Sequence, residues 1–278
     1  MYRFLLSRQW VTLTVLGLVM IPTMVKLGYW QLHRHEHRVA NNEIIATNVD
    51  AAPVAVESVT EPGAVLPHSD LYRSVTATGR FDTAHEVVAR HRTAGAEGAG
   101  DDHAGGQQIG YHVITPLILD EGRAVLVNRG WIDSGDDPTA FPEIPAPPSG
   151  EVTVTGRLRP DETTAATGIR DRQGLPDRQI MLISSKANAE YVPRQLVSGY
   201  LELVAVSPQP KGAQPALIPE PDHSGIGPHM AYAVQWWLFA AMVPVGWVVL
   251  LRRQRAEILQ ARTKGATSQE AKDAAVTV

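Results

Sequence analysis

The sequence predicts a membrane protein in which two transmembrane helices flank an extracytoplasmic, mainly antiparallel β domain of barrel-like or sandwich-like form. Three observations predict this fold class. Two long apolar stretches lie near the ends of the 278-residue chain, over residues 10–32 and 229–251. Short alternating segments separated by turn residues fill residues 33–228. Arginines gather directly after the second apolar stretch, as they do on the cytoplasmic side of a span.

The first apolar stretch is long enough to cross a bilayer as an uncleaved anchor. A hydrocarbon core of ~30 Å takes about 20 helical residues to span. Lys26 is the only charge between Trp10 and Trp30, and it lies near the outer end, where a long side chain reaches the headgroups. No A-x-A cleavage pattern occurs before Ala94–Ala96, so removal as a signal peptide is not expected. We therefore expect residues 1–9 to be a cytoplasmic N-terminus.

The second apolar stretch sets the predicted orientation. It has no charge, and Arg252, Arg253 and Arg255 follow it at once. Because an excess of Lys and Arg marks the cytoplasmic flank of a span, both termini are expected in the cytoplasm. The predicted location is the plasma membrane, with residues 33–228 outside and residues 252–278 as a basic and then disordered tail.

Short strands are predicted for most of the region between the spans. Two of them flank a hairpin turn at residues 120–122, and a Gly-rich loop covers Thr93–Gln108. A short helix is expected over Ser185–Tyr191. The predicted strands are Leu71–Phe81, Glu86–Arg90, Tyr111–Leu119, Ala124–Ile132, Val152–Leu158, Arg178–Ile183 and Tyr200–Val206.

The composition and the absence of certain motifs argue against several classes of function. The formal net charge of -4 argues against a nucleic-acid binder, which usually has a basic face. The absence of cysteine excludes disulfides, thiolate metal sites and cysteine nucleophiles. The sequence has no G-x-S-x-G, H-E-x-x-H, Walker or G-x-G-x-x-G motif. We therefore expect a protein that is not an enzyme.

The start of the second span is the strongest candidate site. Pro228 favours the first turn of a helix, so the helix is expected to begin here, with His229 at the outer membrane surface. Such a helix face could hold a porphyrin with His229 as axial ligand. The alternative is an interfacial histidine and an aromatic belt that only anchor the helix. Helical spacing puts the following residues on that face: His229, Tyr232, Ala233, Trp236 and Ala240.

Two further candidates each have a plain structural alternative. His33 and His37 are one helical turn apart, a spacing that can bind a metal, but they also suit a polar extension of the first span. Arg129 follows an apolar strand and could pair with a haem propionate or a partner carboxylate. The alternative for Arg129 is that it ties the end of its strand to a neighbouring loop.

Six segments in series make the chain resemble the surfeit locus protein 1 family of cytochrome c oxidase assembly factors. Each segment alone is weak, but their order and the two-span layout agree with the family. The resemblance extends from about Gly28 to Arg253. The segments are Gly28–Leu32 with Arg34, Tyr72–Phe81, Gly110–Leu117, Val125–Ile132, Val154–Leu158 and Gly227–Ala240.

The resemblance implies a non-enzymatic factor that assists haem a delivery or insertion into subunit I of a haem–copper oxidase. It implies His229 as axial iron ligand of a transiently bound haem a, with Tyr232, Gln235, Trp236 and Arg129 around it. Expected partners are subunit I, other oxidase assembly factors, a haem a synthase and the lipid bilayer. One alternative is a membrane scaffold that stabilises subunit I without binding haem. Another is an extracytoplasmic ligand-binding or sensor domain on a two-span anchor.

Overall fold

The computed structural model describes residues 3–94, 108–119, 122–135, 137 and 140–276. The chain divides into two compact units. One unit contains the residues up to Val39 and those from Ile226 onwards, and the other contains Ala40–Gly225. The first unit is helical and the second is built mainly from strands.

Two long helices make up most of the first unit. Helix α1 spans Arg8–Val49 and helix α4 spans His229–Val276. Both are long and apolar enough to cross a membrane. Only 6% of the most apolar stretch of each helix is buried, so the apolar side chains face outwards, as those of a lipid-exposed helix do.

Both helices extend beyond the predicted spans. Helix α1 continues past residue 32 because no glycine or proline interrupts the chain between Gly28 and Pro53. The sequence predicts a basic and then disordered tail over residues 252–278, whereas the structure continues α4 to Val276. Alanine, glutamine, glutamate and lysine are frequent there, and all four favour helix.

The two helices run antiparallel and pack through aromatic and small residues. Gly28 lies against the indole of Trp237, and Gly17 faces Val243. A Cβ added at Gly28 would come within 2.2 Å of Trp237 Nε1, so only glycine allows this approach. Near the other end of the pair, Trp247 Nε1 donates a hydrogen bond of 3.1 Å to Thr14 Oγ1.

The second unit is a β-barrel-like domain. Five strands close into a ring in the order β2, β6, β8, β5 and β4, because β4 pairs with β2 as well as with β5. Strands β3 and β7 extend the sheet beyond β4, and β1 lies at the other end, beside β2. The strands are β1 Val54–Ala55, β2 Ser74–Phe81, β3 Val87–Thr93, β4 Ile109–Leu119, β5 Arg123–Asp133, β6 Val152–Arg159, β7 Gln179–Ile180 and β8 Gln195–Ser207.

The sheet is mixed. Strand pairs are antiparallel except for β1–β2, β3–β7 and β5–β8 in the part of the chain that the structure describes. Short helices α2, Thr164–Thr167, and α3, Ser185–Asn188, lie between β6 and β8. Single 3₁₀ turns cover Arg3–Leu6, Val56–Ser58, His68–Asp70 and Thr83–His85.

Alternation along β5 produces two apolar clusters. Val125 and Val127 belong to one cluster with residues of β2, β4, β6 and β8, the strands that close the ring with β5. Ala124 and Leu126 belong to a second cluster, which β3 and the segment before β8 cover. Burying a valine or leucine stabilises a fold by about 1.5–3 kcal/mol, so β5 links two substantial cores.

The predicted strands are present, with shifted ends. Val152–Arg159 is almost as predicted, whereas the segment predicted over Arg178–Ile183 forms a strand of two residues, Gln179–Ile180. The strand expected from Leu71 begins at Ser74, because Tyr72 has a φ of 59° and a turn precedes the strand. The hairpin turn at residues 120–121 and most of the Gly-rich loop, residues 95–107, lie outside the described residues.

Candidate functional site

The start of α4 has the local structure that its sequence predicts. Gly227 adopts a φ of 63°, a left-handed conformation that suits glycine. His229 is the first helical residue, and the amide of Tyr232 donates to the carbonyl of Pro228 at 3.1 Å. The prediction that the helix begins directly after Pro228 is therefore confirmed.

The imidazole of His229 has one defined hydrogen bond. Its Nδ1 lies 3.1 Å from Oε1 of Gln31, which belongs to α1. An amide oxygen only accepts hydrogen bonds, so Nδ1 is the donor of this bond. In an imidazole with a single N–H, the lone pair is then on Nε2. Among the described residues, Nε2 of His229 has no hydrogen-bond partner. Gly227 lies beside this edge of the ring, since a Cβ added to it would contact Nε2 at 3.4 Å.

The other predicted residues of α4 differ in exposure. Tyr232 is 47% exposed, and Gln235 is exposed as well. Trp236 is half-buried and makes an edge-to-face contact with Phe239, with ring centroids 6.1 Å apart. These three side chains and His229 lie within the first two turns of the helix.

Two small residues of α4 are buried. Ala233 and Ala240 lie on the helix face that was predicted as a porphyrin site, and they are 0% and 6% exposed. Trp237, on the same side of α4, packs against Gly28 of α1. Helix packing therefore uses this side of α4.

Arg129 lies in the barrel domain and has partners there. Its guanidinium is 2% exposed and forms an ion pair of 2.9 Å with Glu86. It also donates to the carbonyl of Pro145 at 2.6 Å and to Gln214 Oε1 at 2.9 Å. Burial lowers the pKa of Arg129, and the Glu86 carboxylate partly counteracts this effect. These contacts match the alternative role, in which the arginine ties strand β5 to neighbouring loops.

The two histidines of the α1 extension do not belong to a metal-binding cluster of described residues. His33 and His37 are exposed on α1. Within the described residues, no three His, Cys, Asp or Glu side chains come together as a metal site would require.

A buried polar group in the barrel was not predicted. Asn128 of β5, Glu202 of β8 and Arg157 of β6 lie in register on neighbouring strands. Asn128 Nδ2 donates to Nδ1 of His112 at 3.2 Å. Burial, followed by the charges of nearby arginines, lowers the pKa of His112 to about 3. This histidine is therefore neutral at physiological pH.

One signal could have indicated this group. The alternation in Val152–Leu158 predicts one wet strand face, and Thr153 on that face is indeed exposed. Arg157, on the same face, is 6% exposed because Glu202 and the carbonyls of Ile218 and Pro219 cover it. An arginine within an alternating strand is thus a sign that part of the face is covered.

The donor set at the start of α4 fits an axial haem ligand. A metal-binding histidine normally donates its second ring N–H to an acceptor, which fixes the tautomer and the ring orientation. His229 has this arrangement with Gln31, and its Nε2 has no hydrogen-bond partner among the described residues. Gln31 was not predicted as a site residue, because its partner is 198 positions away in the sequence.

These features define a class of protein: a barrel-like β domain between two apolar helices that suggest a membrane anchor, with a histidine at the start of the second helix. The chain belongs to the SURF1 family, because the family model matches residues 18–241. This confirms the resemblance stated from the sequence. The SURF1 family is a family of assembly factors, and membership indicates a role in cytochrome c oxidase assembly.

Mycobacterial proteins are among the relatives. An uncharacterized SURF1-like protein of Mycobacterium bovis is 29% identical over 253 residues, which cover 87% of this chain and 83% of the relative. Uncharacterized SURF1-like proteins of two Mycobacterium tuberculosis strains match to the same extent. The similarity therefore includes both helices and the barrel domain.

Proposed function

We propose that this chain assists the assembly of a haem–copper cytochrome c oxidase by receiving haem a at His229 and passing it to subunit I. The observation that carries the proposal is the state of the His229 ring. Gln31 accepts from Nδ1, and Nε2 has no partner among the described residues. Nε2 can therefore bind a metal at the N-terminus of the apolar helix α4.

The surrounding residues define how a haem would be held. His229 would supply one axial nitrogen, and Tyr232, Gln235 and Trp236 would contact the macrocycle and orient it. When bound, haem a would supply the redox-active iron that the oxidase needs. A site with exposed walls suits transient carriage, since Tyr232 is 47% exposed and a partner can reach the cargo from that side.

The membrane arrangement belongs to the same proposal. Both termini lie in the cytoplasm, because the arginines at residues 252, 253 and 255 follow the second span. The barrel then lies outside the plasma membrane, and His229 lies at the outer surface. Subunit I, other assembly factors and a haem a synthase are the partners that would meet the protein there.

The experiment is an absorbance spectrum of the detergent-purified full chain after co-expression with the haem a pathway. We expect a haem a spectrum for the wild type and its loss in His229→Ala. His37→Ala is the matched control, because His37 is an exposed histidine on the other helix. Equal haem content in wild type and His229→Ala would show that His229 is not the ligand.

One observation favours a second candidate function, a scaffold that stabilises subunit I without carrying haem. Ala233 and Ala240, which lie on the helix face predicted for the porphyrin, are 0% and 6% exposed. A scaffold would co-purify with oxidase subunits and show no pigment. It would also restore oxidase assembly in a deletion strain when supplied as His229→Ala, whereas a haem carrier would not.

A further inference from the structure

We infer that Gln31 is a positioning residue for His229: it holds the ring in the tautomer whose Nε2 is free to bind a metal. The role toward haem rests on the proposed function, but the tautomer is a property of the haem-free chain. Gln31 therefore belongs to the site, although it lies on the other helix.

The close approach of the two helices supports this contact. Gly28 precedes Gln31 by three residues, so the two lie on one face of α1. Because a Cβ at Gly28 would meet Trp237 Nε1 at 2.2 Å, the glycine allows α4 to approach this face closely. The side chain of Gln31 then reaches His229, with 3.1 Å between Oε1 and Nδ1.

The chemistry of the pair decides where the ring proton lies. A neutral imidazole has one N–H, and the other nitrogen has a lone pair. Since Gln31 Oε1 only accepts, the hydrogen bond exists only when Nδ1 is protonated. The lone pair is then on Nε2, the nitrogen without a partner among the described residues. Without Gln31, nothing described at this ring selects between the two tautomers.

The first test measures the tautomer in the absence of haem. The full chain, labelled with ¹⁵N-histidine and purified in detergent without haem, is compared by NMR with His229→Ala to assign the His229 signals. We expect wild-type His229 to carry its proton on Nδ1. Gln31→Leu removes the acceptor and should lose this preference, whereas Gln31→Glu retains an acceptor and should keep it.

A matched control separates the contact from a general effect on α1. Gln9→Leu changes an exposed glutamine of the same helix and should leave the His229 signals unchanged. A wild-type ring protonated on Nε2, or an unchanged tautomer in Gln31→Leu, would overturn the inference whether or not the protein binds haem.

The second test uses the haem-loaded protein. Loss of an outer hydrogen-bond partner typically lowers metal affinity by about 10–100-fold, so Gln31→Leu should bind haem that much more weakly. Gln31→Glu should retain haem and lower its reduction potential, because an anionic acceptor makes the ligand more basic. If no protein binds haem but the tautomers behave as described, the proposed function fails and the positioning role of Gln31 stands.

Discussion

At the scale of single residues, two histidines of this chain show how a hydrogen-bond partner selects the tautomer. At His229, Nδ1 faces the acceptor oxygen of Gln31, so the proton lies on Nδ1. At His112, Nδ1 faces the donor amide of Asn128, so the proton of the neutral ring lies on Nε2. The first ring has a nitrogen without a partner among the described residues, and the second is part of the buried structure of the barrel.

His112 predicts a pH dependence of stability. Its pKa is about 3 in the folded chain, compared with an ordinary value of 6.5. Between these values the unfolded chain binds a proton that the folded chain does not. The free energy of unfolding should therefore fall as the pH falls below about 6.5, by up to about 1.4 kcal/mol per pH unit from this group.

His112→Gln removes this titration and keeps an acceptor for Asn128. Urea unfolding of both full-length proteins in detergent, followed by tryptophan fluorescence at about pH 7.5 and about pH 4.5, measures the difference. The wild type should lose more stability between the two conditions than the variant. Parallel losses would contradict a neutral, buried His112.

Sequence reasoning could find part of the site at this scale. His229 was predicted because Pro228 before an apolar stretch is a local helix-start signal. Arg129 was considered as a partner of a haem propionate, because an arginine after a strand can either bind an anionic group or tie the strand to a loop. Only the structure shows its ion pair with Glu86. Gln31 and Asn128 could not be assigned roles, since each acts through a partner that only the fold brings near.

At the scale of secondary-structure elements, local sequence patterns predicted the strands but could not predict how the strands pair. Alternation of valine and threonine is visible in Val152–Arg159 itself. The parallel pairing of β5 with β8 joins segments about 70 residues apart, and nothing within either segment indicates it. Hydropathy marked the apolar part of α1 but does not mark where the helix ends, and the structure continues α1 to Val49.

The packing of α1 against α4 predicts that replacing two different glycines by alanine has opposite effects on the stability of the helix pair. Gly28→Ala should destabilise the helix pair by about 1–3 kcal/mol, since its Cβ would come within 2.2 Å of Trp237 and force a shift. Gly246→Ala should be tolerated, because no atom lies within 4 Å of its added Cβ and alanine is the better helix former.

The measurement for these variants is the near-ultraviolet circular dichroism of the tryptophans, together with the thermal midpoint in detergent. Gly28→Ala should change the Trp237 signal and lower the midpoint, and Gly246→Ala should do neither. Equal behaviour of the two variants would mean that the Gly28 contact does not hold the helices together.

At the scale of the whole molecule, the proposed topology can be tested with single cysteines, since the chain has none of its own. Ala165→Cys lies on exposed helix α2 of the barrel domain, and Lys264→Cys lies on an exposed position of α4 beyond the arginines. An impermeant maleimide on intact cells should label only Ala165→Cys. Permeabilised cells should label both variants, and labelling of Lys264→Cys alone in intact cells would reverse the orientation.

The order of the strands around the barrel has a consequence for synthesis. Strand β8, Gln195–Ser207, lies between β5 and β6, although it is the last strand to leave the ribosome. A nascent chain that ends before Gln195 has two unpaired strand edges facing each other, and such edges invite aggregation. Premature termination between Arg159 and Gln195 would therefore leave an open sheet for proteases to degrade, although the first helix is complete.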